Sequence, residues 1–125
     1  MHEFSTAQAI VRTITRVAIQ NGAKKITAVY LEIGDLTFLV PHQLKFSFDI
    51  ASQGTIAEGA ELVISHVKAK VRCNECGYSG EIDLHSKGDA SFMEVSLTKC
   101  PKCNKEGLEI ISGRELNIKN IKVEM

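Results

Sequence analysis

The chain contains no tryptophan, and five Phe with two Tyr are its only aromatics. Its core must therefore be aliphatic and not large. Excess charge is missing too. Fifteen basic residues meet fifteen acidic ones, which removes the electrostatic case for binding nucleic acid or an anionic membrane. No stretch approaches the roughly 18 consecutive apolar residues of a membrane-spanning helix. The N-terminus lacks the basic-then-apolar order of an export signal, because Glu3, Ser5, Thr6 and Gln8 stand there instead. A cytoplasmic location is expected. There is no Gly-rich phosphate loop, no nucleophile elbow and no open metal site beside a base, so no enzymatic activity is expected either.

What remains is 125 residues, enough for one modest core plus an insertion. Ala7, Ile10, Val11, Ile14, Val17 and Ala18 recur at helical spacing and predict an amphipathic helix from about Ser5 to Asn21. Ser5 with Gln8 resembles a capping box, and Gly22 suits the residue past the helix end. "KKITAVYLEIGDL" alternates as a strand closed by Gly34-Asp35, with Thr27, Val29, Leu31 and Ile33 on one face. Pro41 opens a second helix that turns Leu44, Phe48 and Ala51 to one side and has Gly54 beyond its end. "ELVISHVKAKVRC" reads as one long strand, with Val63, Val67, Ala69 and Val71 on one face. "GLEIIS" and "ELNIKNIKVEM" read as strands, and the spacing of Ile118 and Ile121 implies a bulge.

The expected fold class is α+β. Two helices lie on a small three-stranded antiparallel or mixed sheet, and a cysteine module is inserted in it. The body is expected over 1–71 plus 106–125, the module over 72–105.

Four cysteines form two pairs, "CNECG" and "CPKCN", separated by the 23 residues from Gly77 to Lys99. A two-residue gap lets both thiolates of a pair face one ion, so Cys73, Cys76, Cys100 and Cys103 are the expected ligands of a structural Zn²⁺. Gly77 and Asn104 each follow a second cysteine, where such a knuckle turns through positive φ. Arg72, Lys99, Lys102 and Lys105 could offset the thiolate charge. About 31 residues bury too little apolar surface to fold alone, so the ion must supply the stability. Disulfides or a thiol–disulfide site would use the same cysteines, but neither pair precedes a convincing helix.

The opening "MHE" carries a second chemistry. The Met1 amine and the His2 amide nitrogen close a five-membered chelate ring, and that amide with the His2 Nδ1 closes a six-membered one. His2 also protects Met1 from removal, since methionine aminopeptidase acts ahead of small residues. Three in-plane nitrogens suit Ni(II) or Cu(II), with a fourth place for Glu3, water or another residue. The remaining histidines have blander readings. His42 is a first-turn residue facing solvent, and His66 is an exposed or half-exposed strand residue. His85 lies in the polar stretch "DLHSKGD". Glu32 and Asp35 read as strand-edge and turn residues.

"MHE", "LEIGDL", "GTIAEGAEL" and a strand running into CxxC…CPxC together resemble the HypA/HybF family of hydrogenase nickel-incorporation proteins, in order and over essentially the whole chain. The resemblance implies a nickel metallochaperone. It places Ni²⁺ at Met1, His2 and Glu3, and structural Zn²⁺ at Cys73, Cys76, Cys100 and Cys103. It implies the GTPase HypB as partner and the large subunit of [NiFe]-hydrogenase as recipient, in some members the urease system too. A monomer and a homodimer are both compatible with the sequence. A fourth nickel donor from the inserted module has no histidine in "SFMEVSLTKC", which leaves Glu94 and, further back, His85. Two rivals share parts of the pattern. A nucleic-acid-binding zinc ribbon would want a basic, aromatic-studded surface. A zinc-braced protein–protein adaptor without labile metal shares everything except the terminus.

Overall fold

The structure, a computed structural model, describes residues 3–82, 100 and 102–125. Helix α1 spans Glu3–Gln20 and buries Thr6, Ala7, Ile10, Val11, Ile14 and Ala18. It begins two residues earlier than the capping-box pattern suggests, so Ser5 sits inside the first turn. Val17, expected on the buried stripe, is 41% exposed. At 3.6 residues per turn it lies roughly 80° round from Ala7, at the margin of the apolar face. The helix stops as Gly22 predicts: Gly22 adopts φ 77°. Its amide donates to the Ile19 carbonyl at 3.0 Å, and the Ala23 amide donates to Ala18 at 3.0 Å. Those two crossed bonds are a Schellman closure.

Strand β1 (Lys25–Gly34) is followed by a 3₁₀ turn at Asp35–Thr37 and by helix α2 (Pro41–Ser52). Pro41 occupies the first helical turn, and Leu44, Phe48 and Ser52 face inward. Next come β2 (Glu61–Val67), β3 (Ala69–Cys73), β4 (Ser79–Ile82), β5 (Leu108–Ser112) and β6 (Leu116–Glu124). They form two three-stranded sheets, ordered β2-β1-β6 and β4-β3-β5. Among the described residues no helix is long and apolar enough to cross a membrane.

The single strand expected over residues 61–73 is in fact two. The parity of burial changes at Lys68: Leu62 is buried in β2, whereas Ala69, Val71 and Cys73 are buried in β3. An unbroken strand would turn those sets to opposite faces. Breaking at Lys68 lets each half bury its own apolar side in its own sheet, and Leu62, not Val63, joins the core.

The chain divides into two compact units. The first comprises Met1–Ile33, Phe38–Ser65 and Leu116–Met125. Its core gathers Ile10 and Ile14 from α1, Leu44 and Phe48 from α2, and Val29, Leu31 and Ile33 from β1. The bulge expected in the last strand is present. Val29 opposes Ile121, Leu31 opposes Ile118 and Ile33 opposes Leu116, with the register slipping between Tyr30 and Leu31. One extra residue in β6 thus brings Ile118 and Ile121, three apart, onto the same face. A second slip, between Ile26 and Ala28, puts Ile26 in the core with Val29.

The second unit comprises Gly34–Thr37 and His66–Glu115, so it takes in β3 and β5 as well as the cysteine-bearing segment. Strand β3 pairs antiparallel with β4 and with β5. The Gly34 amide donates to the Glu115 carbonyl at 2.7 Å, and the Leu36 amide donates to Gly113 at 2.6 Å. Asp35, whose side chain is 6% exposed, meets His66 Nδ1 at 3.5 Å. The two backbones run so close that a Cβ on Gly34 would stand 2.1 Å from the Gly113 carbonyl carbon and oxygen. Gly34→Ala is therefore expected to destabilise by about 3 kcal/mol, the top of the usual overpacking range, because backbone must move rather than a side chain. Urea unfolding of the zinc-loaded protein measures this; an unchanged midpoint would contradict it.

Candidate metal centre

Each cysteine pair is built by the same backbone device. Cys73 ends β3; its amide donates to the Tyr78 carbonyl at 2.7 Å, and the Gly77 amide donates back to Cys73 at 3.0 Å. In the second pair the Cys100 amide donates to Lys105 at 3.1 Å, and Asn104 donates to Cys100 at 2.9 Å. The offsets are identical, so the two knuckles are copies of one turn. Gly77 has φ 78° and Asn104 has φ 60°, as their positions after the second cysteine require. Asn104→Gly should accordingly be neutral within about 0.5 kcal/mol, whereas Asn104→Val should lose about 1–2 kcal/mol from the left-handed backbone. Thermal melts of the two variants, taken side by side, check the order.

The four sulfurs converge. Their ligand atoms lie within 4.8 Å of one another. Cys73 and Cys103 are 3.6 Å apart at sulfur, as are Cys76 and Cys100. Four sulfurs at 2.3 Å from a tetrahedral Zn²⁺ stand about 3.8 Å apart, so the cage fits the ion. All four cysteines are free thiols rather than disulfides. Cys73 and Cys100 are buried, Cys103 half-buried and Cys76 exposed. An all-thiolate tetrahedral donor set is consistent with Zn²⁺, and four thiolates on one ion leave no open coordination position, the mark of a structural site.

Backbone amides supply the charge compensation seen at sulfur. Lys102 and Cys103 donate to Cys100 Sγ at 3.3 and 3.4 Å. Arg72, one candidate for that role, instead pairs with Glu109 at 3.1 Å on the surface. Burial opposes ionisation of Cys100, but the amides of Cys103 and Lys102 and the neighbouring sulfurs outweigh it and bring the thiol down to about 6. At Cys103 the Lys105 amide favours the thiolate, yet burial and the sulfurs of Cys73, Cys100 and Cys76 push it up to about 12. Cys100 thus ionises at the expense of Cys103, as crowded like charges in one cage require. A divalent cation held by the four sulfurs would remove that conflict, displacing protons as it binds.

The N-terminal candidates are placed in part. Met1 and His2 lie outside the described residues, as do His85, Glu94 and Lys99. Glu3 opens α1, and its Oε2 accepts a hydrogen bond from the Val40 amide at 3.2 Å. Val40 is the N-cap residue of α2 and has no side-chain cap of its own. The Glu3 carboxylate thus serves the start of a second helix, 37 residues along the chain. No local pattern signals that contact, and sequence reasoning missed it. The Asp35–His66 pair was missed for the same reason. His42 is exposed on the first turn of α2, as expected. Glu32 accepts a 3.4 Å hydrogen bond from Asn117 Nδ2.

Comparison with known proteins agrees with this geometry. The family model described as hydrogenase/urease nickel incorporation, metallochaperone, hypA matches residues 1–123. The hydrogenase maturation factor HypA of Methanothermobacter thermautotrophicus is 42% identical over 124 residues, covering 99% of this chain and 98% of that one. The maturation factor HybF of Salmonella typhimurium is 38% identical over 124 residues, covering 99% and 100%. In fold, the chain matches the solution structure of the nickel metallochaperone HypA from Helicobacter pylori. The TM-score there is 0.64 at 19% identity, over 99% of this chain and 98% of that one. With two helices on small sheets, a four-sulfur cage and a match running from the first residue, this chain belongs to the HypA family, the nickel metallochaperones of hydrogenase maturation.

Proposed function

We propose that the chain carries Ni²⁺ on its terminal Met1-His2-Glu3 segment and delivers it to the large subunit of [NiFe]-hydrogenase, while Cys73, Cys76, Cys100 and Cys103 hold Zn²⁺ as scaffolding. The observation that carries this reading is a family match that begins at residue 1 and so includes the "MHE" segment. The labour is divided between the two parts of the chain. The α/β body presents nickel, and the zinc ribbon stands apart from the transfer chemistry, since its donors are all committed to one ion.

The chain acts as a carrier, not an enzyme. GTP hydrolysis in the pathway belongs to HypB, its proposed partner, and the exchange takes place in the cytoplasm. Urease maturation is a second destination, favoured by the family's description as hydrogenase/urease nickel incorporation. Calorimetric titration of untagged protein with Ni²⁺, beside protein bearing one extra residue ahead of Met1, tests the carrier reading. Strong binding only in the former supports it; equal binding leaves a zinc-braced adaptor.

A further inference from the structure

The sheet of the first unit is open at one side. Its order is β2-β1-β6, so among the described residues β6 is an edge strand, 9 residues long. The Glu124 carbonyl accepts from the Lys24 amide at 2.8 Å and the Glu115 carbonyl from Gly34, so both ends of the strand turn those groups toward β1. Alternation, interrupted by the bulge at Lys119, then turns the N–H and C=O of Leu116, Ile118, Ile121 and Val123 to the open side. A groove of about 350 Å³ runs between Ser5, Ala9, Ile10 and Thr13 of α1 and Leu116 and Ile118 of β6. Its described walls come from α1 and β6 alone, so it lies along the edge and not over the middle of the sheet. The Thr13 hydroxyl already donates to the Ala9 carbonyl at 2.9 Å, which leaves a largely aliphatic wall. Val17, one turn beyond Thr13 on the same side of α1, and Val123 on the core face of β6 stay 41% and 37% exposed.

We propose that β6 is the docking edge for an extended segment of a partner protein in which aliphatic and acidic residues alternate. The segment adds to the sheet as a fourth strand, about 4.8 Å beyond β6, and its main chain pairs with the groups on the open side. Its side chains then fall alternately on opposite faces. Those on the α1 face enter the groove opposite Leu116 and Ile118, and those on the other face come beside Lys122. Charge decides between occupants. From Leu116 to Val123 the strand carries Lys119 and Lys122 and no acidic residue, and both lysines are exposed. Lys122 lies on the face away from α1, its Nζ 5.5 Å from the centre of the Tyr30 ring. A second copy of this chain does not suit the edge. Twofold pairing through the middle of β6 sets Lys119 against Lys119, and like charges directly opposite destabilise. Edge lysines turn away unselected strands, whereas an acidic strand converts that repulsion into attraction. The proposal does not depend on the terminal nickel site.

The test uses zinc-loaded full chain and a pair of short synthetic peptides, one alternating Val with Glu and the other Val with Lys. The Val-Glu peptide is expected to shift the amide resonances of Leu116, Ile118, Ile121 and Val123, together with those of Ala9 and Thr13. At low salt it should bind at least about tenfold more tightly than the Val-Lys peptide. The double variant Lys119→Glu, Lys122→Glu should reverse that preference, a swap that lysines serving only to shield the edge would not produce. Ala9→Phe fills the groove from an exposed helix position; it should keep its zinc and circular dichroism and lose the Val-Glu peptide. Equal affinity for the two peptides, no shift along β6, or full Val-Glu binding by folded Ala9→Phe would each overturn the proposal. So would a dimer by light scattering whose four edge-facing β6 residues already have protected amides, since a second copy would then hold the edge.

Discussion

Replacing Cys76 with serine should empty the zinc site and dissolve the order of the second unit, Gly34–Thr37 and His66–Glu115, while the first unit stays folded. Cys76 is the exposed member of the cage, so the substitution removes a ligand with little loss of packing. The effect then reports on the metal and not on a cavity. It is large because the unit has few other resources. Among its described residues only Ala69, Val71, Cys73 and Cys100 count as buried apolar side chains. Surface pairs such as Arg72–Glu109 and Lys68–Glu81 add little. Structural zinc in small sites contributes roughly 10–16 kcal/mol of apparent binding free energy, which dwarfs those terms. Metal analysis should fall from one zinc per chain to none, and amide resonances of β3, β4 and β5 should collapse toward unfolded positions. Those of α1, α2 and β1 should remain, because their core of Ile14, Leu31, Leu44 and Phe48 is independent of the cage. A zinc-free Cys76→Ser protein with an ordered ribbon would refute this account.

His2→Ala should have the converse signature, with nickel lost and both fold and zinc retained. The substitution removes the imidazole and so the six-membered chelate ring. One residue added ahead of Met1 removes the primary amine and breaks the five-membered ring. Each change is expected to weaken Ni²⁺ binding by about a hundredfold or more, since a chelate forfeits several bonds when one ring opens. Binding should also strengthen with rising pH. The amine and the amide must both surrender protons to the solvent before nitrogen can coordinate, so acid drives the ion off. A titration series across pH, run on wild type and both variants, checks direction and size together. Wild-type affinity in either variant would detach nickel from the terminus.

Legibility in the sequence followed the range of the physics. Where a residue's role depends on its own backbone or its near neighbours, the sequence was sufficient. Gly22, Gly77 and Asn104 take positive φ where the turns demand it. The three-residue spacing of Ile118 and Ile121 implies a bulge, because two apolar residues cannot share a strand face at odd spacing without one. The paired cysteines announce a shared ion for the same local reason. Failure came where partners are remote. Residues 61–73 read as one strand because alternation persists through Lys68, and only pairing with different neighbours divides it. Val17 satisfies the helical period but lies at the stripe's edge, where tertiary packing decides burial. The Glu3–Val40 bond joins segments whose approach depends on how α1 and α2 pack, and no spacing rule encodes that.

The contact between Gly34 and Gly113 carries a consequence for how this sequence can drift. A methyl on Gly34 meets main chain, and one on Gly113 would fall 2.9 Å from the Ala69 Cα and 3.1 Å from Leu36, at a φ of 117° that side chains rarely adopt. At Gly34 no smaller neighbour makes room, because the methyl meets main chain; at Gly113 a shorter side chain in place of Leu36 would relieve only part of the crowding, since the Ala69 Cα stays where it is. Substitution at either glycine therefore requires main chain to shift, and both positions are expected to resist replacement as the sequence drifts.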